Sequence, residues 1–324
     1  MSSVAVNSWP LVSVVVPARN EPQIGRVVRA VLGQSSRAAS VEVVVVDDGS
    51  SDDTAERAEA AGARVVRMRP PGEPGNAAAA RNRGFLESRG DPVVFLDGDC
   101  IPEAGWLDRI LEAHERGAGA VGGSLSLPPG LPIVARCDYY CGWYVIHPAA
   151  AAGWVPHHPP PNLSVRRAAY AATDGFAEQA PFSFSNEERF WQAQLRAAGH
   201  RLYFEPRAVA AHYNRPGLGN FLRRNYRWAY TAVEAKSRTG SARAAWLYRH
   251  PWLLVAVSPV LVFAHSAYIV GCWLKAGVFE PLLMLPLVVL SRITYMAGLS
   301  VGALRWLQTG RDPASAVRHR PRWE

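Results

Sequence analysis

In this chain of 324 residues, carboxylates gather three times where an apolar run stops. Val93-Val94-Phe95-Leu96 ends in Asp97-Gly98-Asp99. Val41 to Val46 ends in Asp47-Asp48-Gly49-Ser50, and Leu11 to Val16 runs into Pro17-Ala18-Arg19-Asn20-Glu21. Two hard oxygen donors two positions apart suit Mg2+ or Mn2+, and such an ion suits a diphosphate. Asp and Gly are also ordinary turn residues, so Asp-Gly-Asp by itself reads equally as a loop. A carboxylate such as Asp48 can accept from a base N–H or a ribose hydroxyl. Arg81 and Asn82 offer donors for phosphate oxygens.

These groups act together only if a scaffold converges them. The β-branched runs Leu11–Pro17, Val41–Val46, Ala63–Met68 and Pro92–Leu96 read as strands. Helical patterns lie between them, at Pro22–Gln34, Thr54–Ala61 and Asn76–Arg89. Such alternation predicts an α/β fold with a mostly parallel sheet covered on both faces. Ligands bind beyond the carboxyl ends of such strands, which is where all three carboxylate groups fall. No Gly-x-Gly-x-x-Gly follows the first strand, which argues against a dinucleotide oxidoreductase. Past Pro102, Trp106–Arg116 reads as helix and Ala120–Leu127 as extended, while Ala149–Pro161, with His157-His158, reads as a loop.

The net charge of +8 is concentrated late in the chain. Arg215–Arg249 holds eight Lys/Arg against Glu234 alone, and Arg305–Glu324 holds five Arg against two acids. Basic segments suit nucleic acid or anionic lipid. Between them, Trp252–Leu274 is 23 residues with His265 as the only ionisable side chain, enough to cross a bilayer. A second run, Pro281–Leu304, is interrupted by Arg292, which must face protein or snorkel. Buried core helices are the alternative. The basic flanks predict a membrane hairpin with both outer ends cytoplasmic and no nucleic-acid partner. The expected organisation is a catalytic domain over 1–214, a basic interfacial helical segment over 215–250, a transmembrane hairpin over 251–305 and a basic cytoplasmic tail over 306–324. Met1–Pro10 lacks the basic start and apolar core of a signal peptide. Four Cys suggest no disulfide framework; Cys137 and Cys141 share a helix face and read as buried thiols rather than half a zinc site.

The motifs, taken in order, resemble the family-2 inverting glycosyltransferases of GT-A fold. They are Val14–Glu21 (VVVPARNE), Val45–Ser50 (VVDDGS) with Asp53-Thr54, Ala80–Gly84 (ARNRG) and Phe95–Asp99 (FLDGD). Further on come Asn162–Arg166, Gly175-Phe176, Asn186–Trp191 (NEERFW), Gly199–Tyr203, Glu205–Ala208 and His212. This resemblance implies a Rossmann-like nucleotide-sugar-binding sheet with Pro17, Arg19 and Glu21 bordering the nucleotide. Asp48 would recognise the base, with Asp47 its neighbour, and Arg81 and Asn82 would serve the phosphates. Asp97 would lie near sugar, ribose and metal, Asp99 would hold Mn2+ or Mg2+, and His212 would complete the metal shell. A histidine ending an apolar segment is also a common core residue. Asn162 and Trp228 would border the acceptor.

The family's usual Glu-Asp is Glu187-Glu188 here. Inversion needs one carboxylate to take the acceptor hydroxyl's proton. The motif alignment gives that role to Glu188, with Glu187 in reserve; both could instead be solvated acids at a helix start. Arg224–Trp228 (RNYRW) resembles the Gln-x-x-Arg-Trp of processive polysaccharide synthases, with Arg in place of Gln. That resemblance puts Arg227 on the diphosphate and Trp228 at the acceptor entrance. An interfacial basic helix is the competing reading. The expected enzyme uses a nucleotide-diphosphate-sugar, UDP-sugar by default, and a lipid-linked or cell-envelope glycan acceptor at the cytoplasmic membrane face. Its rivals are a nucleotidylyltransferase, which would carry a Gly-rich basic loop after the first strand, and a non-catalytic nucleotide-sugar-binding membrane scaffold.

Overall fold

The computed structural model describes residues 9–179, 181–182, 185–240 and 245–309. The basic tail expected over 306–324 lies outside the described residues from 310 onward. In chain order the first elements are β1 (Val12–Ala18), α1 (Ile24–Leu32), β2 (Val41–Asp47), α2 (Thr54–Ala60), β3 (Arg64–Arg67), α3 (Ala77–Glu87) and β4 (Val93–Leu96). Each lies within about two residues of its sequence expectation, as is usual for element ends. Then follow β5 (Cys100–Pro102), α4 (Trp106–Glu115), β6 (Ala120–Ser126), α5 (Ile133–Gly142), β7 (Gly153–Val155), β8 (Asn162–Val165), α6 (Arg167–Ala171), α7 (Glu187–Ala197) and β9 (Leu202–His212).

The sheet runs β3-β2-β1-β4-β8-β6-β9-β5, with β7 paired to β9. Strands β3, β2, β1 and β4 are mutually parallel, so their carboxyl ends share one mouth. β8 enters antiparallel between β4 and β6, and β6 and β9 are again parallel. The segment expected as a loop over 149–161 contributes β7, a short edge strand. Period-two alternation divides the core in two. Val12, Val14 and Val16 join α1 and α4 on one face; Val15, Val44 and Val46 meet α3 and α7 on the other. Helix α3 lies so close to the sheet that a Cβ on Gly84 would sit 2.2 Å from Val15 Cγ1.

The remaining elements are α8 (Leu218–Thr239), α9 (Ala245–Tyr248), α10 (Pro251–Lys275), α11 (Glu280–Leu283) and α12 (Leu285–Thr309). Helices α8 and α12 pack backbone to backbone. Gly298 and Gly302, a Gly-x-x-x-Gly pair, press on the carbonyls of Tyr226 and Tyr230, and an added Cβ would come within 2.3 and 2.1 Å of those oxygens. Arg292 is buried against Asn225 of α8, so it faces protein as its charge requires.

The connection between α10 and α12 docks on α5. Tyr140 OH donates to Glu280 at 2.6 Å, Arg136 pairs with Glu280, and Trp273 Nε1 donates to the Tyr140 carbonyl at 2.9 Å. The link between the two apolar helices thus rests against α5. Hydropathy reports length and apolarity; packing sets depth and orientation. All four cysteines are free, and Cys137 and Cys141 lie with their sulfurs 4.0 Å apart on one face of α5.

Candidate active site

Two cavities meet at the sheet mouth. The smaller, about 180 Å³, is lined by Pro17, Arg19, Glu21, Asp48, Arg81, Asp97 and Asp99 among others. Turns rather than regular elements present most of these. Gly49, at φ +82°, lets the chain double back after β2, and Asp47 Oδ1 accepts from Ser50 N at 3.0 Å to hold that turn. Asp47 is therefore a turn residue and lines neither cavity. Asp48 accepts from Arg69 Nε at 2.6 Å and from the Asn76 backbone, next to the cavity it lines. Glu21 is buried, and burial together with the nearby Asp99 charge raises its pKa despite an ion pair to Arg215 at 3.1 Å.

Arg81 is almost completely buried and clamps two carboxylates, Asp97 at 2.7 Å and Glu187 at 2.9 Å. Each terminal nitrogen thereby holds one carboxylate, and Arg81 also lines both cavities. Asn82 does not reach the mouth at all. It is locked between Tyr170, Phe176 and Glu178, because neighbours on a helix point about 100° apart and only Arg81 faces the cavity. Asn162 is likewise not an acceptor residue. It accepts from Trp106 Nε1 and donates to the carbonyls of Ser124 and Ala208, tying three elements inside the core.

Asp99 and His212 form the candidate metal centre, with the buried Cys100 beside them. Asn214 gives its amide N–H to Asp138 Oδ2 at 3.0 Å, so its carbonyl oxygen faces His212 Nδ1 at 2.8 Å. His212 Nδ1–H thus faces that oxygen, and Nε2 stands 3.6 Å from Asp99 Oδ1. An imidazole nitrogen and a carboxylate oxygen at that spacing fit as joint ligands of one divalent ion such as Mn2+. Asp97, expected to share the metal, is held by Arg81 and lies outside that cluster.

The larger cavity, about 450 Å³, shares Arg81, Asp97 and Asp99 with the first. It brings in Glu187, Glu188, His157, Trp143, Arg224 and Trp228. Asn186, at φ +61°, directly precedes α7 and bonds the Trp228 carbonyl and Thr231 of α8, fixing where the two glutamates start. Both glutamates are buried. Burial and the neighbouring Glu188 push Glu187 up to about 7. Burial would raise Glu188 too, but a 2.5 Å hydrogen bond from His157 Nε2 outweighs it and holds the carboxyl below the usual range. Burial keeps His157 neutral down to about pH 4, so it serves as an uncharged N–H donor. Gln192 of α7 clamps the backbone N–H and carbonyl of His158, pinning the histidine loop to the helix that carries Glu188.

On α8 two arginines lie differently with respect to the cavities. Arg227 points away from both cavities, whereas Arg224, one turn before Trp228, lines the larger one, pairs with Asp138 and lies over the Trp228 ring at 5.1 Å. Trp228 in turn meets Trp143 edge-on at 5.7 Å. His157, Arg69, Arg215 and Trp143 are site residues that sequence reading missed. They sit in irregular segments where no periodicity marks them.

Comparison with known proteins agrees with this geometry. The profile described as Glycosyl transferase family 2 matches residues 13–130. Glycosyltransferase AglE of Haloferax volcanii is 30% identical over 233 residues, covering 68% of this chain and 72% of that protein. The chain belongs to glycosyltransferase family 2. The pre-mycofactocin glycosyltransferase of Mycobacterium tuberculosis is 29% identical over 255 residues, which are 74% of this chain but only 48% of that longer protein. Mannosyltransferase PcManGT from Pyrobaculum calidifontis, solved with GDP-Man and Mn2+, shares the fold with a TM-score of 0.58 at 21% identity. It covers 93% of this chain, and this chain 88% of it.

Proposed function

We propose that this chain is an inverting, metal-dependent hexosyltransferase that moves a sugar from a nucleotide-diphosphate-sugar to a hydroxyl of a lipid-linked or cell-envelope acceptor at the cytoplasmic membrane face. The observation that carries it is the Arg81 clamp. It sets Asp97, at the donor cavity, against Glu187-Glu188, at the neighbouring one, so donor and acceptor meet across a single buried guanidinium. Glu188, ionised and oriented by His157, takes the acceptor proton as that oxygen bonds the anomeric carbon. The bond from that carbon to the diphosphate breaks, and its electron pair leaves with the nucleoside diphosphate. Displacement from the opposite face inverts the centre. A divalent ion held by Asp99 and His212 would offset the charge growing on the leaving group.

Association with a membrane is proposed from α10 and α12. Their apolar windows have mean hydropathy of 2.1 and 1.6 yet are only 28% and 44% buried, unlike core helices of a soluble protein. Phe263 and Leu283 are among the exposed side chains. UDP-sugar is the leading donor, and the GDP-Man complex of PcManGT makes GDP-sugar the alternative.

The test is nucleoside diphosphate release by the detergent-purified full chain with Mn2+, a panel of UDP- and GDP-sugars and lipid extract. Release with one donor, abolished in Asp99→Ala and Glu188→Gln, is the expected result. Metal-dependent nucleotide binding without turnover under every donor and extract would overturn the enzyme reading in favour of a binding scaffold.

A further inference from the structure

Cys100 stands in the metal cluster as its third member. It is fully buried, and its Sγ, a carboxylate oxygen of Asp99 and a ring nitrogen of His212 all lie within 4.8 Å of one another. The backbone puts it there. Strand β5 is three residues long, and its antiparallel pairing with β9 sets Cys100 directly opposite His212. Residues paired in this way share a face of the sheet, with Cβ atoms about 4.5–5.5 Å apart. A hydrogen bond from Tyr213 N to the Asp99 carbonyl, at 2.8 Å, carries the pairing one residue further and holds Asp99 beside them. The bond from Cys100 N to the Asp97 carbonyl, at 2.9 Å, closes the turn between β4 and β5.

The spacings discriminate between coordination geometries. Cys100 Sγ is 3.9 Å from Asp99 Oδ1, and His212 Nε2 is 3.6 Å from the same oxygen. Metal bonds run about 2.3 Å to sulfur and about 2.1 Å to nitrogen or oxygen. A tetrahedral ion with such bonds separates its ligands by about 3.6 Å for S···O and about 3.4 Å for N···O, within about 0.3 Å of what is seen. The octahedral shell that Mg2+ demands would bring neighbouring ligands to about 3.0 Å, and it takes oxygen rather than sulfur. Spacing and donor type both point away from Mg2+. A thiol donating weakly to Asp99 would account for the Sγ distance, but not for His212 Nε2 facing the same carboxylate.

We infer that Cys100 is a thiolate ligand of the divalent ion, completing a Cys-Asp-His site that takes Zn2+, Co2+ or Mn2+ and discriminates against Mg2+. This inference rests on the metal-dependent transferase reading for the use of the ion, but the ligand set can be tested without turnover. Three protein ligands leave a four-coordinate ion one open position, the pattern of catalytic rather than structural sites. Asp99 also lines the donor cavity, so the open position has the donor's phosphates within its surroundings. Loss of an outer partner of a metal ligand weakens binding about 10–100-fold, and loss of a ligand itself should cost at least as much.

The experiment titrates the reduced, detergent-purified full chain with Co2+ and follows its absorption spectrum, for wild type, Cys100→Ala, Cys100→Ser and Asp99→Ala. A triple variant, Cys137→Ala/Cys141→Ala/Cys272→Ala, keeps Cys100 as its one cysteine and decides the matter even if the Cys100 variants unfold. Thermal melting of each metal-free protein is the folding control. Expected is a sulfur-to-cobalt charge-transfer band in wild type and in the triple variant, absent from Cys100→Ala, Cys100→Ser and Asp99→Ala. Co2+ affinity should fall about tenfold or more in folded Cys100→Ala, while Mg2+ affinity, read by competition with Mn2+, stays weak and unchanged. Co2+ bound through Asp99 with no charge-transfer band, or a band that survives Cys100→Ala, would overturn the inference and leave the metal reading standing. A band missing from the folded triple variant would assign the sulfur to another cysteine and overturn it as well. No Asp99-dependent binding of any divalent ion would overturn the inference and the metal-dependent reading together.

Discussion

Substitution of His157 by alanine separates the two glutamates more directly than mutating either one. The bond from His157 Nε2 to Glu188 is 2.5 Å long, with both side chains buried. A hydrogen bond to a charged group in such surroundings contributes about 1.5–3 kcal/mol, roughly a ten- to hundredfold bias toward the ionised carboxylate. Removing the imidazole removes that bias and leaves burial, which favours the neutral acid, opposed by the charge of Arg189. The sign follows. Glu188 is ionised across the neutral range in the wild type, because its pKa is depressed; without His157 it accepts a proton at higher pH. The acid limb of the kcat/KM profile for the acceptor should therefore move upward in His157→Ala by about one to two pH units, with a loss that is greatest at the acid end and shrinks as pH rises. His157→Gln, which keeps a donor, should recover part of it. Steady-state nucleoside diphosphate release from about pH 5 to 9 gives the profile, with donor KM as a control on the other half of the site. A wild-type acid limb near 7 that is indifferent to His157 would refute the reasoning and make Glu187, whose pKa is about 7, the base.

Asn214→Ala should release the His212 tautomer and weaken Mn2+ binding about 10–100-fold, read by titration calorimetry or by the manganese resonance signal. Asn162→Ala should strand the indole N–H of Trp106 and two carbonyls, at about 1–3 kcal/mol for each group left unsatisfied, and so lower the melting temperature. A raised acceptor KM at unchanged stability would instead return Asn162 to the acceptor site. His114 is buried and held neutral, its pKa lowered by burial from 6.5 to about 4. The unfolded chain takes up that proton first, so folding stability should fall by about 3 kcal/mol as pH drops from 7 to 4. Denaturant titrations at several pH values should show a smaller fall in His114→Gln.

The nucleotide half was legible because its information is local. Val12–Ala18, Val41–Asp47 and Val93–Leu96 are short apolar runs, each ending in polar turn residues, and a parallel sheet aligns such ends without further instruction. Asp48, Asp97 and Asp99 could therefore be placed from sequence. Residues whose positions depend on distant pairings could not. β8 reaches β4 from nearly 70 residues away and carries Asn162, at the position opposite Leu96, into the core. His157 stands in a Pro-rich stretch with no period, and its bond to Glu188 and the Gln192 clamp on His158 are what join it to α7. The place of Arg227 was illegible for a different reason. A motif names residue types, but the helix face decides which of them sees the cavity, and Arg224 shares its face with Trp228.

The apolar C-terminal helices were legible as a composition and illegible as an arrangement, and that difference bears on mechanism. Had α10 and α12 stood apart as an anchor, the catalytic cleft would need nothing from them. Instead α8 carries Arg224, Trp228 and Lys236 into the cleft while its backbone carbonyls at Tyr226 and Tyr230 rest on Gly298 and Gly302. Arg292 crosses the same seam to Asn225, and Glu234 of α8 pairs with Arg305 at 3.5 Å. With so little space between the two helices, displacement of α12 must be transmitted to α8 or relieved by separating them. Close packing makes such interfaces switch between discrete arrangements rather than deform smoothly. Trp228 and Arg224 are therefore set by how the apolar layer seats, which ties the shape of the acceptor cavity to the surroundings of α10 and α12.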